Sequence, residues 1–186
     1  MNPTTHNRPG RSLLHGGATV LVALLIVGNL FLIGGFSSES REESGSRSRE
    51  VTLSIARILY SRFEDFSAEE QNEIVDSLHG IVRKAAHFSE FASLGCLTAI
   101  FARLTLGLAG WRSAFLRTAG IPAVFCLLCA ISDEVHQIFT GRGPRVTDVL
   151  IDFAGAVSGI CLMHILIWAA GRIRAANFQK KEAAAP

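Results

Sequence analysis

Between Arg11 and Glu39 the chain carries no Asp, Glu, Lys or Arg. A charge-free apolar run of this kind leaves few folding options, because about 20 residues of helix cross a bilayer core and a shorter run does not. Leu13 to Phe36 is long enough. A signal peptide would have a shorter apolar core and a small-residue cleavage site, for which Gly34-Gly35-Phe36-Ser37 is a poor substitute, so a retained anchor is expected. Phe153 to Gly171 is a second charge-free run, closed by Arg172 and Arg174. Mean hydropathy is +0.34 although 18% of residues are charged, so the apolar residues must be bunched into spans.

Two further spans are less clean. Phe91 to Ala102 and Thr118 to Ser132 are apolar but too short to cross. They reach membrane length, at about Val82 to Leu104 and Thr118 to Phe139, only by taking in charged residues at one end. Arginines at the opposite ends serve as depth markers. Twenty residues at 1.5 Å rise cover about 30 Å, so counting from Arg103, Arg117 and Arg172 puts the far boundary near Arg83, Gln137 and Asp152. The expected fold is an all-α membrane protein with four transmembrane helices and an extramembrane amphipathic helical segment between the first two.

In that segment, Ser37 to Glu50 is Ser-, Glu-, Arg- and Gly-rich and reads as a flexible linker. Val51, Ile55, Ile58, Leu59, Phe63 and Phe66 recur at helical spacing. They suit either a helix lying on the membrane or one packed on the ends of the bundle. Ser67-Ala68-Glu69-Glu70 has the pattern of a capping box opening a further helix towards Arg83. Cys96, Cys126, Cys129 and Cys161 all fall in apolar runs and read as small buried hydrophobes; the CxxC spacing of Cys126 and Cys129 has no redox-fold context. A net charge of +2 is too balanced to argue for nucleic acid, and no zinc-finger or RNA-binding motif appears, so no nucleic-acid partner is expected.

The polar residues of the middle spans carry the functional argument. Glu90, Asp133, Glu134, Asp148 and Asp152 sit in or against membrane-length segments, among His87, His136, Gln137, Arg142 and Arg145. A charge at mid-helix costs about 3 kcal/mol to insert, so such residues are functional candidates by default. On the depth scale His87 and Asp133 lie about 6 Å inside the boundary and Glu90 about 10 Å inside, so three spans place polar groups at one level. Arg83, His87, Glu90 and Leu94 form one helical stripe; Asp148, Asp152, Gly155 and Gly159 form another. Gly155 and Gly159 make a GxxxG pattern, which marks the face carrying the aspartates as a packing face. Asp133 and Gln137 are neighbours on their helix, while Glu134 points about 100° away. Gly141 to Arg145 is a tight turn that would hold two arginines over the carboxylates. Those arginines would either pair with Asp148 and Asp152 or capture an anion at a helix N-terminus.

Lys84-Ala-Ala-His87-Phe88-Ser-Glu90-Phe91 resembles the first signature of the VanZ-like membrane proteins. Ser132-Asp133-Glu134-Val-His136-Gln137-Ile-Phe139, followed by Arg142, Asp148, Asp152, Gly155 and Gly159, resembles the second. The resemblance covers roughly Arg83 to Gly159; the first span and the acidic segment are similar in hydropathy only. Lys and Arg number nine on each side of the predicted topology, so charge alone does not orient the chain. The resemblance implies four spans with the polar cluster on the outer side. This gives a cytoplasmic tail (1–12), a first span (13–36), an outer linker with amphipathic helices (37–80), a VanZ-like core with three spans (81–171) and a cytoplasmic tail (172–186). The expected location is the cell membrane, multi-pass, with both termini cytoplasmic.

The family is linked to glycopeptide resistance, teicoplanin in particular, so the resemblance implies an envelope protein with an outer-face polar pocket. Membrane lipids are expected partners, with an anionic envelope lipid or cell-wall precursor as candidate ligand. The alternative is a metal-dependent or acid/base hydrolase or transferase acting on a lipid-linked substrate. His87, Glu90, Asp133 and Glu134 are the candidate catalytic residues; Lys84, His136, Gln137, Arg142, Arg145, Asp148 and Asp152 are the candidate binding or supporting ones. His87, Glu90, His136 and an aspartate include donor types that zinc accepts, yet no HExxH motif is present and the cofactor is left unassigned. A proton path across the membrane is disfavoured, because the polar groups stop near one surface.

Overall fold

The computed structural model describes residues 9–106, 114–140 and 145–183. Its α-helices are α1 (Pro9–Ser37), α2 (Arg41–Leu59), α3 (Ala68–Thr105), α4 (Ile121–Phe139) and α5 (Val146–Ala183). No strand occurs among the described residues. Four segments are long and apolar enough to cross a membrane: His15–Ser37, Ala68–Thr105, Leu116–Phe139 and Val146–Lys180. Val20, Leu24, Phe31, Leu128 and Trp168 are among the many large apolar side chains left exposed on them, as lipid-facing positions are.

The spans alternate in direction. His15 Nε2 lies 2.9 Å from Leu104 O and Asn29 donates to Ser93, so α1 runs antiparallel to α3. Thr98 Oγ1 faces Cys126 Sγ at 3.6 Å and His87 comes within 4.8 Å of Asp133, so α4 is antiparallel to α3 as well. α3 and α5 run in the same direction, because Phe88 lies against Gly155 and Ala92 against Gly159. A π-helical turn at Leu116–Gly120 leads into α4. Pro122, in the first turn of α4, has no N–H for an i−4 carbonyl, which favours a widened turn before it.

α3 is the centre of the fold and touches each of the other α-helices. Phe91 and Leu94 are fully buried there, packed with Ile33 of α1, Cys126 and Ala130 of α4 and Ala156 of α5. Its contact with α5 is backbone on backbone. A Cβ at Gly155 would stand 2.2 Å from Phe88 O, one at Gly159 1.9 Å from Ala92 O, and one at Gly95 2.1 Å from Ala156 O. Glycine is required at these positions by the separation of the helices, since real Cβ contacts are never that short.

Two expectations about the segment between the first two spans are corrected. The stretch expected as a flexible linker is helical from Arg41 onward, as part of α2. Ser40 and Glu43 form a reciprocal capping box at its start. Arg49 bonds Asp76 and Asn72 of α3, and Ser48 faces His79, so polar contacts hold a half-helix that has little apolar surface. In addition, the helix opened by the Ser67 capping box does not end near Arg83 but continues to Thr105. At 38 residues, α3 is about 57 Å long, well beyond the roughly 30 Å of a hydrocarbon core. Ala56 of α2 and Phe63 of the short turn that follows it pack with Val75 of that overhang, a second small core. The cysteines are also only partly as expected. Cys126 is buried and Cys96 and Cys129 half-buried, but Cys161 is exposed on the outside of the bundle. An apolar side chain facing lipid gains nothing by burial in protein.

Candidate functional site

Helical periodicity puts the polar residues on inward faces at the end of the bundle that carries α2. His87 and Glu90 are one turn apart on α3, Asp133 and Gln137 one turn apart on α4, and Asp148 and Asp152 one turn apart on α5. The close α3–α5 packing at Phe88 and Gly155 holds His87 beside Asp152, with Nδ1 and Oδ1 3.7 Å apart. Asp152 is 1% exposed, and its Oδ1 accepts no hydrogen bond. From α4, Asp133 completes a group of three: one ligand atom each of His87, Asp133 and Asp152 lie within 4.8 Å of one another. Gln137 Nε2 donates to Asp133 Oδ2 at 2.8 Å and fixes that carboxylate.

Asp152 lies in the field of Asp133, Glu90, Asp148 and Glu134, and Glu90 in that of Asp133 and Glu39. These carboxylates repel one another at close range in a part of the molecule with little water. Among the described residues, no Lys or Arg forms an ion pair with Asp133, Asp148 or Asp152. Such a cluster is held together by the packing of the helices and is suited to a cation, or to holding protons, at its centre.

The remaining candidate residues surround this centre without joining it. Glu134 is buried and turned towards the start of α5, where the Arg145 backbone N–H donates to Oε1; Oε2 accepts no hydrogen bond. The expected pairing of Arg145 with Asp148 and Asp152 is not seen. Arg145 is exposed and contributes its backbone to Glu134, while Asp148 accepts from Thr147 Oγ1 at 3.3 Å. Arg142 lies outside the described residues. His136 is exposed and bonds Ser38, just past the end of α1, at 3.0 Å. Lys84 is exposed and shares a narrow crevice with Arg83, His87 and Asp148.

Among the described residues, two roomier cavities also reach the cluster. One of about 200 Å³ lies under α2 and is lined by Glu39, Arg47, Arg83, His87 and Glu90 among others. The other, of about 510 Å³, is a groove between α1 and α4. Its walls are apolar at Leu30, Phe31, Ile33 and Cys129 and polar at Ser38, Ser132, Asp133 and His136.

Several contributors were not anticipated from the sequence. Glu39 pairs with Arg47, which also stands over the Phe36 ring, 5.2 Å from its centroid. Both line the cavity at Glu90, and their only signal was position, at the edge of the first span. Asn29 donates to Ser93, whose hydroxyl bonds Glu90 O at 2.7 Å. A carboxamide in an otherwise apolar span is itself an indication of interior packing. At the opposite end, Thr118 and His164 form a separate 3.0 Å contact.

The VanZ/LLP1 family model matches residues 19–167, which takes in the two middle spans, most of the first, the first part of the last and every residue of the cluster. No curated protein and no solved structure matches the chain.

Proposed function

As this chain is a member of the VanZ/LLP1 family, we propose that it is a cell-envelope protein whose polar end faces outward and binds or acts on a lipid-linked envelope component, altering susceptibility to teicoplanin. The observation that carries this reading is the two-part lining of the α1–α4 groove. The wall is apolar along Leu30, Phe31 and Ile33 and becomes polar at Ser38, Ser132, Asp133 and His136, in the order a chain and headgroup would meet them. Phe31 is 76% exposed, so the groove has a side open to lipid. On this reading both termini are cytoplasmic.

The test is teicoplanin susceptibility of a sensitive host expressing wild type or Glu90→Gln at equal membrane levels. Protection by wild type and not by the variant supports the proposal. A properly inserted wild type that gives no protection removes the resistance role.

A second reading, a hydrolase or transferase on a lipid-linked substrate, is favoured by half-buried His87 standing beside buried Asp152, with Glu90 nearby. Were the 3.7 Å between Nδ1 and Oδ1 to close to hydrogen-bond distance, Asp152 would orient the imidazole as a general base, and Glu90 lines the same cavity as His87. Turnover of a lipid-linked pyrophosphate by purified protein, lost in His87→Gln, is the measurement that supports it.

A further inference from the structure

We propose that His87, Asp133 and Asp152 form a binding site for a single divalent transition-metal ion, Zn²⁺ or Mn²⁺. This goes beyond the envelope reading and stands or falls without it. The ligand atoms come from three different helices and converge to within 4.8 Å of one another. Ligands bound to one ion at about 2.1 Å are about 3–4 Å apart, so the site closes on an ion with a small inward movement. The His87–Asp152 distance of 3.7 Å is too long for a hydrogen bond and falls within that ligand–ligand range.

A second observation points to a ligand independently of the cluster. Asp152 is 1% exposed, and its Oδ1, the atom nearest His87 Nδ1, accepts no hydrogen bond. A buried carboxylate oxygen with no hydrogen bond is strongly disfavoured, and coordination of a cation satisfies it. The charges agree: two carboxylates and a neutral imidazole balance a dication, and no Lys or Arg among the described residues pairs with either aspartate. The surroundings also suit a metal. Gln137 Nε2 holds Asp133 Oδ2 at 2.8 Å, the outer-shell contact that orients a ligating carboxylate. One imidazole with two carboxylates suits zinc or manganese, where an all-oxygen set would suit calcium or magnesium. Three protein ligands leave a position for water, and Glu90, one turn from His87 and lining the same cavity, is placed to hold it.

The experiment uses the full chain in detergent, loaded with Zn²⁺ or Mn²⁺, freed of loose metal and analysed for metal content. About one ion per chain is expected for wild type and for His164→Gln at the opposite end of the bundle, with loss in Asp152→Asn and His87→Gln. Folded wild type carrying neither ion, or equal retention in both site variants, overturns the proposal. Should the site variants fail to fold, X-ray absorption on zinc-loaded wild type decides. A nitrogen and oxygen shell with one imidazole supports the site; sulfur or several imidazoles place the ion elsewhere and overturn it.

Discussion

Asp152 of α5 faces His87 of α3 across the backbone-on-backbone contact of these helices, one turn before Gly155 meets the Phe88 carbonyl. The glycines and the polar pair thus belong to one interface. The backbone approach at Gly155 and Gly159 sets how close the carboxylate and the imidazole come, and residues that touch no ligand control the geometry of those that would.

Replacing Gly155 or Gly159 by leucine should therefore disrupt the site as well as the bundle. The first added carbon alone would lie 2.2 or 1.9 Å from a carbonyl oxygen, so the helices must separate. A loss of about 1–3 kcal/mol is expected from overpacking. Gly28→Ala, where a Cβ meets nothing within 4 Å, should be neutral or better. Thermal denaturation in detergent compares the three; equal stability would mean that α3 and α5 are not in close contact.

Gln137→Leu keeps side-chain volume but removes the donor to Asp133 Oδ2. The carboxylate loses the one side-chain tether it has among the described residues, at a cost of about 1–3 kcal/mol for the lost bond. Metal affinity should fall by about 10- to 100-fold without abolishing binding, as for other outer-shell changes. Competition with a chelator of known affinity reads that change directly.

Ala56→Glu should undock α2 and leave the bundle in place. Ala56 is fully buried in the small core with Phe63 and Val75, and a carboxylate there would be buried without a partner. Limited proteolysis should cut between Ser38 and Phe66 in the variant and not in wild type, with the fragment from Ser67 onward persisting. Cleavage within α3 instead would show that the overhang depends on α2.

The start of α2 should respond to acid. Hydrogen bonds from the Ser40 backbone and hydroxyl hold the Glu43 carboxyl below its ordinary value of 4.5. A group whose folded value is lowered contributes stability above 4.5, and that contribution is lost as pH falls through the lower folded value. Amide exchange at residues 41–46, corrected for the intrinsic chemical rate, should therefore quicken in wild type as pH falls below 4.5. In Glu43→Gln, which keeps a capping side chain without its titration, protection should be independent of pH.

What the sequence by itself determined was the number of spans and the level of the polar residues. Both follow from hydropathy and from the fixed rise of a helix, which are local and one-dimensional. The stripes of His87 with Glu90 and of Asp148 with Asp152 were legible for the same reason, since a helix face is a matter of spacing. The continuity of α3 from Ala68 to Thr105 was not, because a helix leaving the membrane changes composition without changing conformation. Nor was the helical character of Arg41 to Glu50, which rests on Asp76, Asn72 and His79, 23 to 31 residues away from their partners. The tertiary structure alone decided which polar residues meet. Asp152 reaches His87 because α3 and α5 run parallel in backbone contact. Glu134 turns away to the Arg145 amide, and Gly95 opposite Ala156 completes the close approach. Spacing places a residue on a face of its own helix, and only the packing of helices determines what that face touches.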